Sequence, residues 1–353
     1  MNPKSVKISV VIPVYNGEKY LPDCLDSLTK QSLLPEQIVC VENASKDKSL
    51  EILSKLEIKN SKLKIVRNAK NFGFAKACNQ GIEEVIKSGA DFVFLLNQDT
   101  ICEPNCLEEL VKVARIDGET FAVQALLLCW PEIDRIQTAG NKIHFLGFGY
   151  CGDYNNPKLK VQNLKLKEIT YASGAGMLIN LSLLKEIGFF DEDLFLYHED
   201  LDLGLRARLM GYKILLAPQA IVYHKYIAGV PHHRWYWSER GREIVLLKFY
   251  KIPTLILIFL PWLIMEVGVI FYSLFTSWFW LKIKSYFSVL WQLPKTIKKR
   301  KEIQKNRKLR DRQIAKFLEA KFDFEGLEHP GLKYIINPIF SLYWQLLRKI
   351  IFW

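Results

Sequence analysis

Over the first hundred residues, four apolar runs alternate with three stretches of helical pattern, and this alternation constrains the fold more than any other feature of the chain. The runs are KISVVIPVYN, QIVCVEN, LKIVRN and DFVFLLNQD; the helical stretches lie near residues 17 to 30, 47 to 57 and 73 to 88. Phe92 to Leu96 is apolar at every position, so neither face suits water, as expected of a strand covered on both sides. Helices between such strands imply right-handed crossovers. The expected fold is α/β with a mainly parallel central sheet. Each run ends in polar or small residues: Tyr15-Asn16-Gly17, Glu42-Asn43-Ala44-Ser45, Arg67-Asn68 and Asn97-Gln98-Asp99. Ligands of open α/β sheets bind beyond the carboxyl ends of the strands, so all four clusters are expected along one edge. Asn and Asp also begin turns, which is the competing local role.

Two common nucleotide sites are not supported. No GxGxxG follows the first run, and no GxxxxGK[ST] occurs anywhere. The seven cysteines are odd in number and scattered, without CxxC pairs or metal-type spacing. Several lie inside apolar runs, where a free Cys acts as a small hydrophobe, and a reducing compartment fits them. The opening MNPKSVKISVVIPVYNG passes straight into strand-like sequence with too short an apolar core for a signal peptide, so export is not expected.

Six motifs fall in one order: VVIPVYNGEKYLPDCLDSL, VENASKD, NFGFAKACNQG, LLNQDT, SGAGMLI and LFLYHEDLDLGLRARLMGY. Over roughly residues 6 to 250 the chain resembles family 2 glycosyltransferases, most of all rhamnosyltransferase-like members that build bacterial cell-surface polysaccharides. The resemblance implies a GT-A nucleotide-sugar-binding fold, a nucleotide-diphosphate sugar donor such as dTDP-rhamnose, a divalent cation (Mn2+ or Mg2+), and inversion at the anomeric carbon. By the same resemblance Pro13, Tyr15 and Asn16 meet the nucleoside. Glu42 stands where the family usually has Asp, keeping an acceptor for the base with a longer reach. Asn43, Ser45 and Asp47 complete that turn, an N-cap role for Ser45 or Asp47 being the local alternative. Asn71, Gly73 and Phe74 match the loop beside ribose and diphosphate. Asn97-Gln98-Asp99 matches the family's Asp-x-Asp, with Asp99 as the metal ligand and Asn97 in place of the first acid. A hard divalent cation there would neutralise the leaving diphosphate.

A second cluster, YHEDLDLGLRARLMGY, crowds Glu199, Asp200 and Asp202 at the start of a helix, with Arg206 four residues after Asp202 and Gly211 near its end. Acids favour a helix N-terminus in any case, which explains Asp202 structurally. Transfer to a hydroxyl needs a base, and adjacent acids raise each other's proton affinity. The resemblance makes Asp200 that base and Glu199 its neighbour. His224 matches a late His that often joins the metal or diphosphate, and Ser173, Gly174 and Ala175 match the acceptor-side loop. PHHRW at 231 to 235 differs from the Gln-x-x-Arg-Trp of processive synthases by having Pro231, which favours single additions.

From Ile252 to Leu281 the only charge is Glu266, and Pro253 and Pro261 argue against one straight helix. The net charge of +12 is concentrated just beyond: residues 295 to 316 hold eleven Lys or Arg against Glu302 and Asp311. A basic run beside an apolar segment suits an anionic membrane surface rather than nucleic acid. Because nucleotide sugars are cytosolic, a single crossing would put the most basic segment outside, against the positive-inside tendency. Re-entrant or interfacial helices at the cytoplasmic face are therefore expected, residues 339 to 353 forming a second surface-seeking helix; a buried helix pair or homo-oligomer interface is the alternative. The organisation expected is a catalytic domain over 1–245, an apolar membrane-associating segment over 246–294, and a basic segment with an amphipathic helix over 295–353. The function expected is transfer of one sugar to a lipid-linked glycan. Two rivals are a polyprenyl-phosphate sugar synthase and a catalytically silent nucleotide-sugar-binding scaffold.

Overall fold

A computed structural model describes residues 6–55, 61–163, 166–225, 232–322 and 330–353. In chain order the elements are β1 (Ile8–Val14), α1 (Leu21–Thr29), β2 (Gln37–Glu42), α2 (Ser49–Lys55), β3 (Lys62–Arg67), α3 (Phe74–Lys87), β4 (Phe92–Leu96), β5 (Thr100–Cys102) and α4 (Cys106–Ala114). They continue with β6 (Thr120–Cys129), β7 (Ile136–Thr138), β8 (Asn141–His144), β9 (Gly149–Cys151), α5 (Leu159–Gln162), β10 (Lys167–Glu168), β11 (Gly176–Asn180), α6 (Leu181–Ile187), α7 (Glu199–Leu209) and β12 (Lys213–His224). The last are α8 (His232–Phe249), α9 (Ile252–Phe275), α10 (Phe279–Asn306), α11 (Asp311–Ile314), β13 (Leu318–Glu319) and α12 (Asn337–Ile350). Two compact units result. The first comprises Met1–Asn141, Gly152–Phe195 and Tyr212–Ile227; the second comprises Lys142–Cys151, Leu196–Gly211 and Ala228–Trp353.

The first unit is built on one sheet in the order β10-β12-β6-β11-β4-β1-β2-β3, with β5 added to β12 and β7 to β6. The four runs read from sequence are all strands, and β3-β2-β1-β4 is parallel throughout. Beyond β4 the sheet becomes mixed, because β11 enters antiparallel to both β4 and β6. Register decides what shares an edge. Val14 lies opposite Glu42 and Glu42 opposite Arg67, so the carboxyl ends of β1, β2 and β3 finish level. Gly176 lies opposite Leu96, which brings the Ser173–Ala175 loop to the end of β4. His224 ends β12 opposite Thr100 of β5, one residue after Asp99. Strands β1, β2, β4 and β6 are buried on both faces, whereas the edge strand β3 exposes Lys62, Lys64 and Arg67; α3 packs closely because a side chain at Gly81 would meet Val11 at 2.3 Å. All seven cysteines are free and five are buried, as expected of small hydrophobes.

The second unit is mainly helical. Its aromatic centre stacks His144 on Phe322 at 3.9 Å and Phe145 on Trp344 at 4.7 Å. Helix α8 is tied to α9 and α10 through buried charges: Arg242 pairs with Glu239 and Glu266, and Lys282 with both. As expected, residues 252–281 are not one helix: α9 ends at Phe275 and α10 begins at Phe279. Pro261 is not the break, since α9 runs through it unbroken from Ile252 to Phe275. Pro253 falls in the first turn, where its missing N–H has no helical partner to lose. Pro261 is buried on the inner side of the helix, where packing offsets the cost of one lost backbone bond. The basic run belongs to the same helix as part of the apolar segment, because α10 continues to Asn306.

Candidate active site

At the carboxyl edge of the first sheet, three loops are zipped together by their own polar side chains. Asn16, at a left-handed φ of 51°, accepts the Lys46 N–H at 2.9 Å, and its own N–H donates to Ser45 Oγ at 3.0 Å. Asp47 accepts from the Glu18 and Ser49 N–H groups at 2.9 and 3.0 Å. Glu42 is buried and accepts the Ser45 N–H at 2.6 Å. Asn43 joins β2 to the loop before α3, donating to Asn71 Oδ1 at 3.0 Å and to the Gly73 carbonyl at 3.2 Å while accepting the Phe72 N–H at 3.0 Å. Gly73 has φ +87°, and the Phe195 carbonyl accepts the Phe74 N–H at 2.8 Å where α3 begins. Pro13 is the penultimate residue of β1, before buried Val14, and the Tyr15 ring beyond the strand is exposed.

Gln98 fastens β4 to β1: the Tyr15 N–H donates to its Oε1 at 3.0 Å, and its Nε2 donates to the Tyr15 carbonyl at 2.9 Å. A side chain at Gly17 would meet that Oε1 at 2.3 Å, so glycine is what lets the amide in. On the acceptor-side loop the Ser173 N–H donates to Gln124 Oε1 at 2.8 Å, the Ala175 carbonyl accepts the Asn97 N–H at 3.3 Å, and Gly174 packs on the Phe74 ring.

Asp99 and His224 meet, with Oδ1 and Nε2 3.2 Å apart. Gln137 of β7 contacts the other ring nitrogen, its Oε1 lying 2.9 Å from His224 Nδ1. An Nδ1–H donated to that oxygen leaves the lone pair of Nε2 turned toward a carboxylate, the arrangement expected of two ligands to one cation with an orienting group behind the imidazole. Burial pushes the Asp99 carboxyl up; with the His224 ring protonated instead of metal-bound, its hydrogen bond and charge would outweigh that push and hold the group below the usual range. Among the described residues no group of three or more His, Cys, Asp or Glu could hold a metal. Two protein ligands still fit Mg2+ or Mn2+, which keep most of their coordination for water and substrate phosphates. Gln137 had no sequence signal, being one polar residue in a three-residue strand.

In the second unit, Glu199 and Asp200 open α7 behind His198, which has a left-handed φ of 65°. Asp200 Oδ1 accepts the Leu201 N–H at 2.8 Å. Glu199 is buried, and among the described residues its Oε2 has no hydrogen-bond partner. Burial first, and then the charge of Asp200, raise its carboxyl well above the ordinary value. Both effects favour the neutral form of Glu199. The His198 ring is buried, which lowers it to about 4, with the charge of Arg242 acting the same way. A side chain at Gly241 of α8 would meet this ring at 3.0 Å, so glycine seats it. Asp202 is structural, as its helix position suggested: it is fully buried between Lys248 and Arg206, the latter at 2.9 Å. Gly211, at φ +91°, ends the helix with its N–H on the Arg208 carbonyl at 2.9 Å. Trp235 stacks on Trp278 at 4.8 Å, while Pro231 lies outside the described residues.

A family model described as "Glycosyl transferase family 2" matches residues 9–188. Among curated proteins, the chain is 24% identical over 247 residues to a poly-beta-1,6-N-acetyl-D-glucosamine synthase of Staphylococcus epidermidis, covering 69% of this chain and 57% of the synthase. It is 23% identical over 223 residues to the O-antigen chain rhamnosyltransferase RfbN of Salmonella typhimurium, covering 63% and 67%. The chain thus spans less than two thirds of the synthase it matches. Among solved structures, GalNAc-T7 with UDP, GalNAc and Mn2+ superposes with a TM-score of 0.60 at 18% identity over 71% of this chain and 49% of the other. A mannosyltransferase of Pyrobaculum calidifontis in complex with GDP-Man and Mn2+ gives 0.50 at 15% identity over 82% and 91%. These likenesses show the GT-A fold.

Proposed function

The chain belongs to glycosyl transferase family 2, and on that premise we propose that it moves one sugar from a nucleotide-diphosphate donor to a hydroxyl of a lipid-linked glycan, at the cytoplasmic face of a membrane, in polysaccharide synthesis. The observation that carries the reading is the Asp99–His224 pair at the carboxyl edge of the sheet, backed by Gln137. The rhamnosyltransferase among the relatives favours dTDP-rhamnose as donor. Pro13, Tyr15, Asn16, Glu42, Asn43, Ser45, Asn71, Gly73, Phe74, Asn97 and Gln98 form or brace the donor-side loops, and Ser173, Gly174 and Ala175 the acceptor side.

Asp99 and His224 would hold a divalent cation, which when bound neutralises the leaving diphosphate. Asp200 takes the proton of the acceptor hydroxyl. The hydroxyl oxygen bonds to the anomeric carbon as the bond to the diphosphate oxygen breaks on the opposite face, which inverts the centre. Burial and the charge of Asp200 raise the Glu199 carboxyl, which disfavours a second negative charge beside this base. Asp200→Asn keeps size but removes proton acceptance, so turnover should fall on the order of 100-fold or more while donor binding holds. Thermal stabilisation of the full chain by UDP-, GDP- and dTDP-sugars, with and without manganese, identifies the donor. Near-normal turnover in Asp200→Asn would remove that residue from the chemistry. Binding of every donor without turnover on any acceptor would leave the silent scaffold.

A further inference from the structure

We infer that the second unit docks on an anionic lipid monolayer through the outward faces of α9, α10 and α12, lying in the plane of the membrane rather than crossing it. This deepens the reading of a membrane-bound acceptor and rests on it for its biological sense, though not for its geometry. On α9, Ile256, Leu260, Leu263, Val267, Phe271 and Leu274 are all exposed and recur at helical spacing, so they form one apolar stripe along the whole helix. A soluble monomer rarely leaves so long a stripe bare. Helix α12 lies alongside, its Tyr343 hydroxyl donating to the Leu257 carbonyl at 2.6 Å, and exposes Ile339, Leu342, Leu346 and Ile350 at the same spacing. Helix α10 adds Trp280 and Trp291, exposed by 78% and 88%.

The opposite side of α9 decides against a crossing. Glu266 faces inward and pairs with Arg242 of α8 and with Lys282 of α10, at 2.7 Å for the lysine. A crossing α9 would carry this charged cluster and the helices that supply it into hydrocarbon, where charges are costly. Although α9 is long and apolar enough to cross by length and composition, its exposed apolar residues lie toward one side, which is all an in-plane helix needs.

The charge pattern names the occupant. The outward stripe of α10 passes from Trp280, Phe287 and Trp291 to the exposed Lys298, Lys301 and Lys305, with Arg348 and Lys349 in the last turn of α12. Aromatic rings beside lysines match the boundary between acyl chains and anionic headgroups. A symmetric contact with a second copy would set this face against itself and repel.

Sedimentation of the full chain with phosphatidylcholine vesicles, with and without phosphatidylglycerol, tests the inference. The triple variant Lys298→Gln, Lys301→Gln and Lys305→Gln should bind phosphatidylglycerol vesicles roughly 100-fold more weakly, at about fivefold per lysine, with little change on neutral ones. Trp280→Glu with Trp291→Glu should weaken both. Donor-induced thermal stabilisation in solution should survive in all variants, which separates failure of the dock from failure of the sugar-transfer reading. Binding indifferent to phosphatidylglycerol would overturn the inference. So would self-association in vesicle-free solution abolished by the Trp→Glu pair, or labelling of a cysteine at 305 from outside intact cells.

Discussion

Replacing Lys248 by Met tests the claim that Asp202 is a structural anchor of α7. Lys248 is 1% exposed and its ammonium contacts Asp202 Oδ1; Asp202 has no exposure at all, and its other oxygen takes Arg206 Nε at 2.9 Å. Breaking a buried pair by removing one partner costs about 3–5 kcal/mol, since the remaining charge is left desolvated. Arg206 survives as a cation for Asp202, and a charge-assisted bond is worth roughly 1.5–3 kcal/mol, so the lower end, about 3 kcal/mol, is expected. Asp202→Leu alone takes the carboxylate from both Lys248 and Arg206 and should cost at least as much. The double variant removes both charges and should recover about 2 kcal/mol or more relative to the sum of the singles. Urea denaturation at neutral pH, followed by tryptophan fluorescence, gives all four corners of the cycle. A Lys248→Met protein within about 0.5 kcal/mol of the parent, the range of an ordinary surface change, would refute the anchor. Additive singles would refute the pairing.

Three further outcomes follow from the geometry. Asp99→Ala should weaken donor binding and abolish its dependence on manganese or magnesium, and His224→Ala should do so more mildly; titration calorimetry with and without chelator checks this, and full activity of the parent protein in excess chelator would contradict it. Glu199 is raised by burial and then by Asp200, so the unfolded chain loses this proton at lower pH than the folded one: the stability it confers is complete below the ordinary carboxylate range and is lost as pH rises through the folded value. Glu199→Gln should remove that loss, and denaturation midpoints from about pH 4 to about pH 8 that fall equally in both proteins would exclude it. Gly73→Ala would place a methyl 2.6 Å from the Phe195 carbonyl at φ +87°, so a loss of about 2–3 kcal/mol is expected from strain and overpacking together, read from the same urea curves.

Most of the parallel half of the sheet was legible because β1, β2 and β4 are apolar on both faces, and an unbroken apolar run announces itself without partners; β3, exposed at Lys62, Lys64 and Arg67, was legible by its place in the alternation of strands and helices. The alignment of Tyr15, Glu42 and Arg67 at one edge followed, since parallel strands joined by crossovers finish on the same side. Pairing beyond β4 was not legible: β11 reads as one more apolar run, and nothing in GMLIN states that it enters antiparallel. The unbroken course of α9 through Pro261 was missed for the same reason, because local propensity was outvoted by packing on the buried side. Gln137 and Gly241 act at a distance in sequence of 87 residues from His224 and across two helices from His198 respectively, and such support leaves no periodicity to read.

The motif residues themselves divide by what their polar atoms are already doing. Asn16, Glu42, Asn43, Ser45, Asp47 and Gln98 spend hydrogen bonds on neighbouring backbone, closing three loops against one another. Glu42 illustrates the consequence: its longer side chain is buried and turned back on the Ser45 N–H, so the exchange of Asp for Glu is absorbed within the loop. Substituting such a residue should disturb the shape of the edge before it removes any contact with a ligand. Tyr15, with its ring exposed, and Asp99, facing an oriented imidazole, are placed differently. A rigid edge with a few outward groups is what binding with little loss of conformational entropy requires, and it explains why a short list of loop residues can recur in order while most of them need never touch the sugar.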